Sequence, residues 1–319
     1  MKRIGVLTGG GDAAGMNAAV RAATRIALNA GAEVLGIQRG WLGLSEGDVR
    51  PLDSAAVGGI LHQGGTILRT FRYPELIEAV GQKKVEEQLA KLALDGLIVI
   101  GGDGSFRGAA LLDEMFDLPV IGVPATIDND IPGTDYSIGF DTALNVAVNC
   151  VDKIRDTASS HGRIFVIEVM GRKCGLLAME TGLCCGAEEV IVPEIPFDLD
   201  EICRRIEEGY GRGKQHAVIL VAEGAAKAPY IEYELKNRLK RSIRMVVLGH
   251  VVRGGSPSAY DRMMGTKLGL AATEFLLAGE RGKMVGMVSG EIKLSQFEKS
   301  TQSLQDVVVK LEDLVRQLT

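Results

Sequence analysis

Three apolar runs in this sequence end in residues that could handle phosphate and protons. "VIGGDGSFRGAA" (99–110) breaks into glycines around one acid, Asp103, and then resumes with helical character. A carboxylate among residues without side chains suits a Mg2+ ion carried by nucleotide phosphates, because magnesium takes few protein oxygens. A tight turn of Gly and Asp is the other reading. "TGGGDAAGMNAA" (8–19) sets glycines before a helix start. Backbone N–H groups can approach a phosphate there, and the helix terminus adds partial positive charge. A simple turn again competes. "PATIDNDIPGTD" (124–135) follows a buried run with Thr126 and two acids, Asp128 and Asp130, one residue apart. One carboxylate could deprotonate a hydroxyl while its neighbour organises the site; turn-forming side chains are the alternative. Each stretch alone is compatible with a turn. Several such strand ends in one chain favour a ligand site.

Arginines stand beside comparable places. Arg72 lies in "FRYPE", Arg163 and Arg244 open apolar runs, Arg172 follows "VMG", and Arg253 lies in "GHVVRGGSP". Arginines near glycines and strand ends suit planar phosphate oxygens, which they hold by bidentate bonds. His250 beside Arg253 fits a sugar-phosphate pocket. The four histidines, His62, His161, His216 and His250, are scattered and form no zinc motif. The glycine loop is not a dinucleotide fingerprint, since Ala14 stands where the third glycine is needed. "GRGKQ" (211–215) lacks the hydroxyl of a Walker motif.

Positioning such groups requires strand ends gathered along one sheet edge. Apolar runs at 3–8, 96–101, 119–124, 163–169, 189–193, 216–224 and 244–249 read as strands apolar on both faces, as a parallel sheet covered on both sides requires. Helical patterns alternate with them. Met16, Ala19, Val20, Ala23 and Ala27 follow helical spacing and leave Arg21 and Arg25 on another side. The alternation predicts doubly wound α/β architecture. In such sheets ligands bind beyond the carboxyl ends of the strands. The pattern is interrupted by "DNDIPGTDYSIGF" and restarts near Gly139, so two α/β/α sandwich domains facing each other across a cleft are expected.

Composition bounds the function. The chain has 319 residues, 46% hydrophobic and 24% charged, which describes a soluble globular protein with ample core. A net charge of −5 gives no support to nucleic-acid binding, so an anionic substrate must be held by local arginines. No apolar run approaches bilayer length, and the basic start reaches glycines too soon for a signal peptide, so no membrane association is expected. Cys150, Cys174, Cys184, Cys185 and Cys203 show neither metal-ligand spacing nor an even framework. They read as reduced thiols of a cytoplasmic protein.

The combination of "LTGGGDAAGMNAA", "GGDGSFRGA", "PATIDNDIPGTDYSIGFDTALN", "IEVMGRKCG", "VAEG" and "VLGHVVRGGSPSAYDR" resembles the bacterial ATP-dependent 6-phosphofructokinases, collinearly from Lys2 to beyond Arg262. The resemblance implies transfer of the ATP γ-phosphoryl group to the 1-hydroxyl of fructose 6-phosphate by a homotetramer that uses Mg2+. It implies a larger ATP-binding domain, 1–138 with 256–303, and a smaller sugar-phosphate domain, 139–255 with 304–319. Asp128 matches the base, with Thr126 beside it, and Asp103 matches the acid serving Mg2+–ATP. Gly11, Arg72, Tyr73, Gly102, Gly104, Ser105 and Gly108 match the nucleotide side. Arg172 matches a stabiliser of the transferring group. Asp130, Met170, Gly171 and Glu223 match the sugar side; His250 and Arg253 match holders of the 6-phosphate. Arg163 and Arg244 match arginines that reach the same phosphate from a neighbouring subunit. Arg21, Arg25, Arg155, Arg212 and Lys214, with Gly186 and Glu188, match an effector site for ADP or phosphoenolpyruvate.

The sequence also departs from its relatives. Pyrophosphate-dependent members carry an acid where Gly104 stands and a lysine where Ala125 stands; both are small here, so ATP is the expected donor. A pyrophosphate-dependent enzyme and a nucleotide-binding regulator without catalysis are the alternatives. The second is disfavoured because every expected reactive position is filled. Gly59 replaces a common effector-site aspartate, Ser54 replaces an arginine of some members, and Gly162 replaces the acidic or amide residue that swaps with Arg163 in the inhibited state. Weak allosteric regulation is therefore expected.

Overall fold

A computed structural model describes residues 1–297 and 304–318. The chain forms two compact units, the first from 1–142 with the described part of 253–301, the second from 143–252 with the described part of 302–319. The expected return to the smaller domain at residue 303 lies outside the described residues.

Unit 1 begins with β1 (Arg3–Thr8), α1 (Met16–Asn29), β2 (Glu33–Ile37), α2 (Gly40–Glu46) and β3 (Val49–Pro51). It continues through α3 (Ala79–Leu92), β4 (Gly96–Gly101), α4 (Asp103–Phe116) and β5 (Val120–Pro124). After an excursion through unit 2 it ends in α9 (Ala259–Leu277), β10 (Lys283–Val288) and β11 (Glu291–Gln296). The sheet order is β11-β10-β5-β4-β1-β2-β3. The five strands from β10 to β2 run parallel, while β3 and β11 pair antiparallel at the edges. The central strands β1, β4 and β5 are almost wholly buried, as their continuous apolar runs predict. Sequence patterning missed β2, β10, β3 and β11; the last two lie at the sheet edges without a buried position, and β3 has only three residues. Such strands carry the weakest hydrophobic signal.

Unit 2 takes up α5 (Phe140–His161), whose first residues belong to unit 1, then β6 (Ile164–Val169), α6 (Leu176–Cys185) and β7 (Glu189–Ile191). It adds α7 (Leu199–Gly211), β8 (Ala217–Ala222), α8 (Ala228–Arg238), β9 (Ile243–Val247) and α10 (Leu304–Leu318). Its sheet is all parallel, ordered β7-β8-β6-β9. β6 and β8 are buried at every position. β9 corrects the reading of strands covered on both faces: as an edge strand it leaves Arg244, Met245 and Val247 exposed.

Helix α1 packs against α9 through small residues. A Cβ added at Gly265 would come within 2.7 Å of the Gly15 carbonyl oxygen, and one at Gly269 within 2.6 Å of the Ala19 carbonyl oxygen. The same helix carries Asp261, which is fully buried. Its carboxylate accepts the N–H of Gly139 at 2.7 Å, the N–H of Thr142 at 2.8 Å and the Thr142 hydroxyl at 2.5 Å. Those bonds fill the orphan donors at the start of α5, as an N-cap would. Burial raises the Asp261 pKa and the three bonds oppose that. Asp261→Ala strands three buried donors, each costing about 1–3 kcal/mol. A stability loss of about 3 kcal/mol or more is expected in urea denaturation; a loss below about 1 kcal/mol would mean that these donors find other acceptors.

Candidate active site

The switch point of the unit 1 sheet lies between β1 and β4, where the chain turns from one half of the sheet to the other. The glycine loop after β1 and the glycines after β4 meet there. Gly9 N–H donates to the Ile100 carbonyl oxygen at 2.9 Å. A Cβ at Gly101 would stand 2.5 Å from Ser105 Oγ and 2.7 Å from the Gly9 carbonyl oxygen; one at Gly9 would stand 2.7 Å from Ser105 Oγ. The backbone is bare because the approach leaves room for nothing else. Asp103 opens α4 and is exposed, paired with Arg107 at 2.6 Å one helical turn on.

Beyond these strand ends lies a cavity of about 520 Å³, lined by Gly10, Gly11, Arg72, Tyr73, Gly102, Asp103, Gly104, Ser105, Gly108, Ala125, Thr126, Asp128, Asp130 and Arg253 among others. All the residues read as nucleotide-side positions therefore share one cavity with the two acids of "DND". Ser105 and Trp41 are among its lining residues, and Ser105 Oγ and Trp41 Nε1 are buried without a hydrogen-bond partner among the described residues. A Cβ at Gly104 would meet nothing within 4 Å, so the space there is open. Arg253, read as a phosphate holder, donates from Nη1 to the Asp12 carbonyl oxygen at 2.9 Å and lies so close to Gly11 that a Cβ there would stand 2.7 Å from it.

Sequence reasoning missed Trp41, Phe71, Leu76, Ile77 and Arg107 in this cavity. Arg107, four residues after Asp103 on a helix, was accessible from spacing. The apolar wall was not, since its members come from α2 and the segment after residue 70. A Cβ at Gly108 would press on Leu76 at 2.7 Å and on the Trp41 ring at 2.8 Å, so this glycine lets the wall close against α4.

In unit 2 the ends of β6 and β8 bring another group together. Glu223 N–H donates to the Val169 carbonyl oxygen and Gly224 N–H to that of Gly171, each at 3.0 Å. A Cβ at Gly224 would lie 1.9 Å from the Arg172 carbonyl oxygen. Met170, Gly171, Arg172 and Glu223 are thus one locked group. Lys227 bridges Glu223 at 3.5 Å and the buried Glu168 at 3.2 Å. Arg163 precedes β6; Arg244 is exposed on β9, and His250 is exposed in the short 3-10 helix Gly249–Arg253.

The effector-type positions fall into separate groups. Arg155 donates to the carbonyl oxygens of Cys185 at 2.6 Å and Gly186 at 3.0 Å. Glu188, Arg212 and Lys214 line a second cavity of about 340 Å³, with Lys214 Nζ 3.3 Å from Glu188. Tyr210, His216 and Arg316 join them there, unforeseen from sequence. Arg21 and Arg25 belong to α1 of unit 1 and line neither cavity.

A glycine-cradled cavity at the switch point of a doubly wound sheet, with an acid at a helix head, defines an α/β phosphate-binding protein. The phosphofructokinase family model matches residues 3–276, and the chain belongs to that family. It is 52% identical over 313 residues to the ATP-dependent 6-phosphofructokinase of Natranaerobius thermophilus, covering 98% of this chain and 96% of that one. It is 48% identical over 319 residues to the enzyme of the same name from Halalkalibacterium halodurans, covering both completely. Among solved structures, Saccharomyces cerevisiae phosphofructokinase superposes with a TM-score of 0.87 at 32% identity, over 100% of this chain; the chain spans 48% of the length of that yeast chain. A pyrophosphate-dependent phosphofructokinase from Marinobacter aquaeolei, at 23% identity and TM-score 0.82 over 95% of this chain and 84% of that one, shares the fold.

Trp41 is the sole tryptophan. Mg-ATP entering the cavity is expected to change its fluorescence, and Gly108→Val, which drives Leu76 and the indole outward, is expected to abolish the change. Unaltered emission at saturating Mg-ATP in the wild type would separate this cavity from the nucleotide.

Proposed function

We propose that this protein is an ATP-dependent 6-phosphofructokinase, transferring the γ-phosphoryl group of ATP to the 1-hydroxyl of fructose 6-phosphate. The observation that carries the reading is the unit 1 cavity of about 520 Å³ in which Asp103, the strand-end glycines, Thr126 and Asp128 come together. The full-length bacterial relatives carry that activity in their names. Asp128 takes the proton of the sugar hydroxyl, and the Thr126 hydroxyl, which accepts the Asp128 N–H at 3.2 Å, fixes the turn that presents it. Gly11, Arg72, Tyr73, Gly102, Gly104, Ser105 and Gly108 receive the nucleotide. Met170, Gly171, Arg172 and Glu223, with Asp130, hold the sugar, and Arg172 supports the transferring charge. His250 and Arg253 hold the 6-phosphate, together with Arg163 and Arg244 of a neighbouring subunit in a homotetramer. Unit 1 is then the ATP-binding domain and unit 2 the sugar-phosphate domain. Phosphoryl transfer needs positioning and charge neutralisation more than covalent chemistry, and this set supplies both.

The donor set fits magnesium. Among the described residues no group of three or more metal-ligating side chains is gathered. Asp103 offers one exposed carboxylate, the share that magnesium takes when phosphates and water supply its other oxygens. Bound there, the ion would neutralise phosphate charge. Gly104 and Ala125 leave the nucleotide space open, which supports ATP over pyrophosphate. No helix among the described residues is long and apolar enough to cross a membrane. A cytoplasmic place accords with five free cysteines.

For regulation, Arg21, Arg25, Arg155, Gly186, Glu188, Arg212 and Lys214 are assigned to an ADP or phosphoenolpyruvate site. Gly162 sits at φ +60°, a conformation that glycine takes freely and that would strain the glutamate or glutamine of relatives. With no side chain there to oppose the sugar phosphate, an effector has little differential affinity to exploit.

A coupled assay of ADP release across donors and sugar phosphates tests the activity. Turnover with Mg-ATP and fructose 6-phosphate is expected. Turnover with pyrophosphate but not Mg-ATP would overturn the donor, and no turnover at all would leave a nucleotide-binding regulator. Asp128→Ser is expected to lower kcat by about 10²–10⁴-fold while nucleotide binding persists; wild-type turnover would remove Asp128 from the chemistry. Saturation by fructose 6-phosphate is expected to be near hyperbolic, with phosphoenolpyruvate moving half-saturation less than about tenfold, a coupling of about 1.4 kcal/mol. Strong sigmoidicity would mean that the switch works without a side chain at residue 162.

A further inference from the structure

Between the two acids of "DND", Asn129 adopts φ +50°, one of only six non-glycine residues with positive φ among those described. Left-handed backbone is uncommon outside glycine, and asparagine tolerates it because its short amide can bond locally. Here the amide bonds in two directions. Its Oδ1 accepts the Ser137 N–H at 2.6 Å, and its Nδ2 donates to the Asp135 carbonyl oxygen at 3.2 Å. The side chain is a strut across the loop that begins at Ala125 and returns at Ile138.

That loop is closed at its base. Thr126 N–H donates to the Ile138 carbonyl oxygen at 3.0 Å, and Ile138 N–H to that of Pro124 at 3.1 Å. Its far side is fastened to the β10–β11 hairpin. Asp135 N–H donates to the Met287 carbonyl oxygen at 2.7 Å, and its carboxylate accepts the Ser289 N–H at 2.6 Å. The Thr134 hydroxyl accepts the Met287 N–H at 3.0 Å. Gly286 allows the approach, since a Cβ there would lie 2.2 Å from the Gly133 carbonyl oxygen. Residues 134–138 are therefore held from both ends. The cavity-lining acids Asp128 and Asp130 flank Asn129, whose two amide bonds tie their segment to this fixed return.

We propose that Asn129 is a positioning residue for the phosphoryl-transfer step: its left-handed turn and its two amide bonds hold Asp128 at the sugar hydroxyl. This rests on the phosphofructokinase reading of the cavity. Strain at a residue between the base and a sugar-holding acid has a role when the surroundings over-determine it, and the two bonds do so. A proton acceptor displaced by a fraction of an ångström loses rate, not substrate affinity.

Two variants separate the turn from the bonds. N129G takes φ +50° without strain but removes both bonds. It is expected to lower kcat at least tenfold, to leave KM for ATP within about threefold, and to speed amide hydrogen exchange across residues 125–138. N129D keeps the left-handed turn and the acceptor for Ser137 N–H, so it is expected to recover most of that turnover at high pH. Its new charge beside Asp128 opposes ionisation of the base, so the acid limb of the kcat–pH profile is expected to move to higher pH. A purely structural asparagine, lost to glycine, would lower stability and leave kcat of the folded enzyme unchanged. An N129G variant with kcat within twofold of wild type, or with kcat lost and exchange unchanged, overturns the proposal. Should N129G not fold, N129D decides alone, and a high-pH kcat more than about tenfold below wild type overturns it. Wild-type activity is measured in the same series. If the wild type does not phosphorylate fructose 6-phosphate, the functional reading fails, while the exchange measurement still decides whether Asn129 holds the loop.

Discussion

The close approach of two backbones at the ends of β1 and β4 governs the rest of unit 1. Gly101 stands so near the Gly9 backbone that a Cβ on it would lie 2.7 Å from the Gly9 carbonyl oxygen, and Ser105 lies over both glycines. Once these positions are bare, the loop after β1 and the head of α4 lie side by side with their N–H groups available. That arrangement favours anions, because helix-terminal donors and dipole act together. The apolar wall from Trp41 to Ile77 can then be built from distant segments, since Gly108 leaves room for it against α4.

Unit 2 meets the same demand with different residues. Gly224 lies against the Arg172 carbonyl oxygen, and paired backbone bonds tie the ends of β6 and β8. The buried Glu168 accepts the Ala228 N–H at 2.8 Å as well as Lys227, so the start of α8 is fixed to the same corner. Isolated buried charge is costly, and this carboxylate is paired and bonded on both oxygens. In both units, rigid strand ends carry the reactive side chains and glycine permits the distances.

The charges are arranged for exchange. With a net charge of −5, the molecule gathers cations locally, and several are matched by an acid within the chain. Arg107 pairs with Asp103, Lys214 with Glu188, and Lys227 with Glu223. The first two pairs line cavities. The exposed Arg107–Asp103 pair is worth only about 0–1 kcal/mol, so a phosphate or a magnesium ion can displace one partner at little cost. Selectivity for anionic ligands then comes from geometry around the pair.

The sequence by itself determined the alternating α/β architecture, the three strand ends with chemistry, and the burial of one face of α1. These follow from local periodicity and from the few residue types that tolerate tight turns near phosphate. It marked Asp103, Asp128 and the strand-end glycines because their neighbours along the chain are distinctive. Tertiary structure decided which of them share a cavity. Trp41 and Leu76 join Gly108 only through packing, and Asp261 reaches Gly139 and Thr142 across more than a hundred residues of chain. It also decided that Asn129 turns left-handed, because the acceptor and donor that hold it lie on the return of the loop. Contacts of that range leave no periodic trace: they depend on which segments the sheet order brings together, and local spacing does not encode that order.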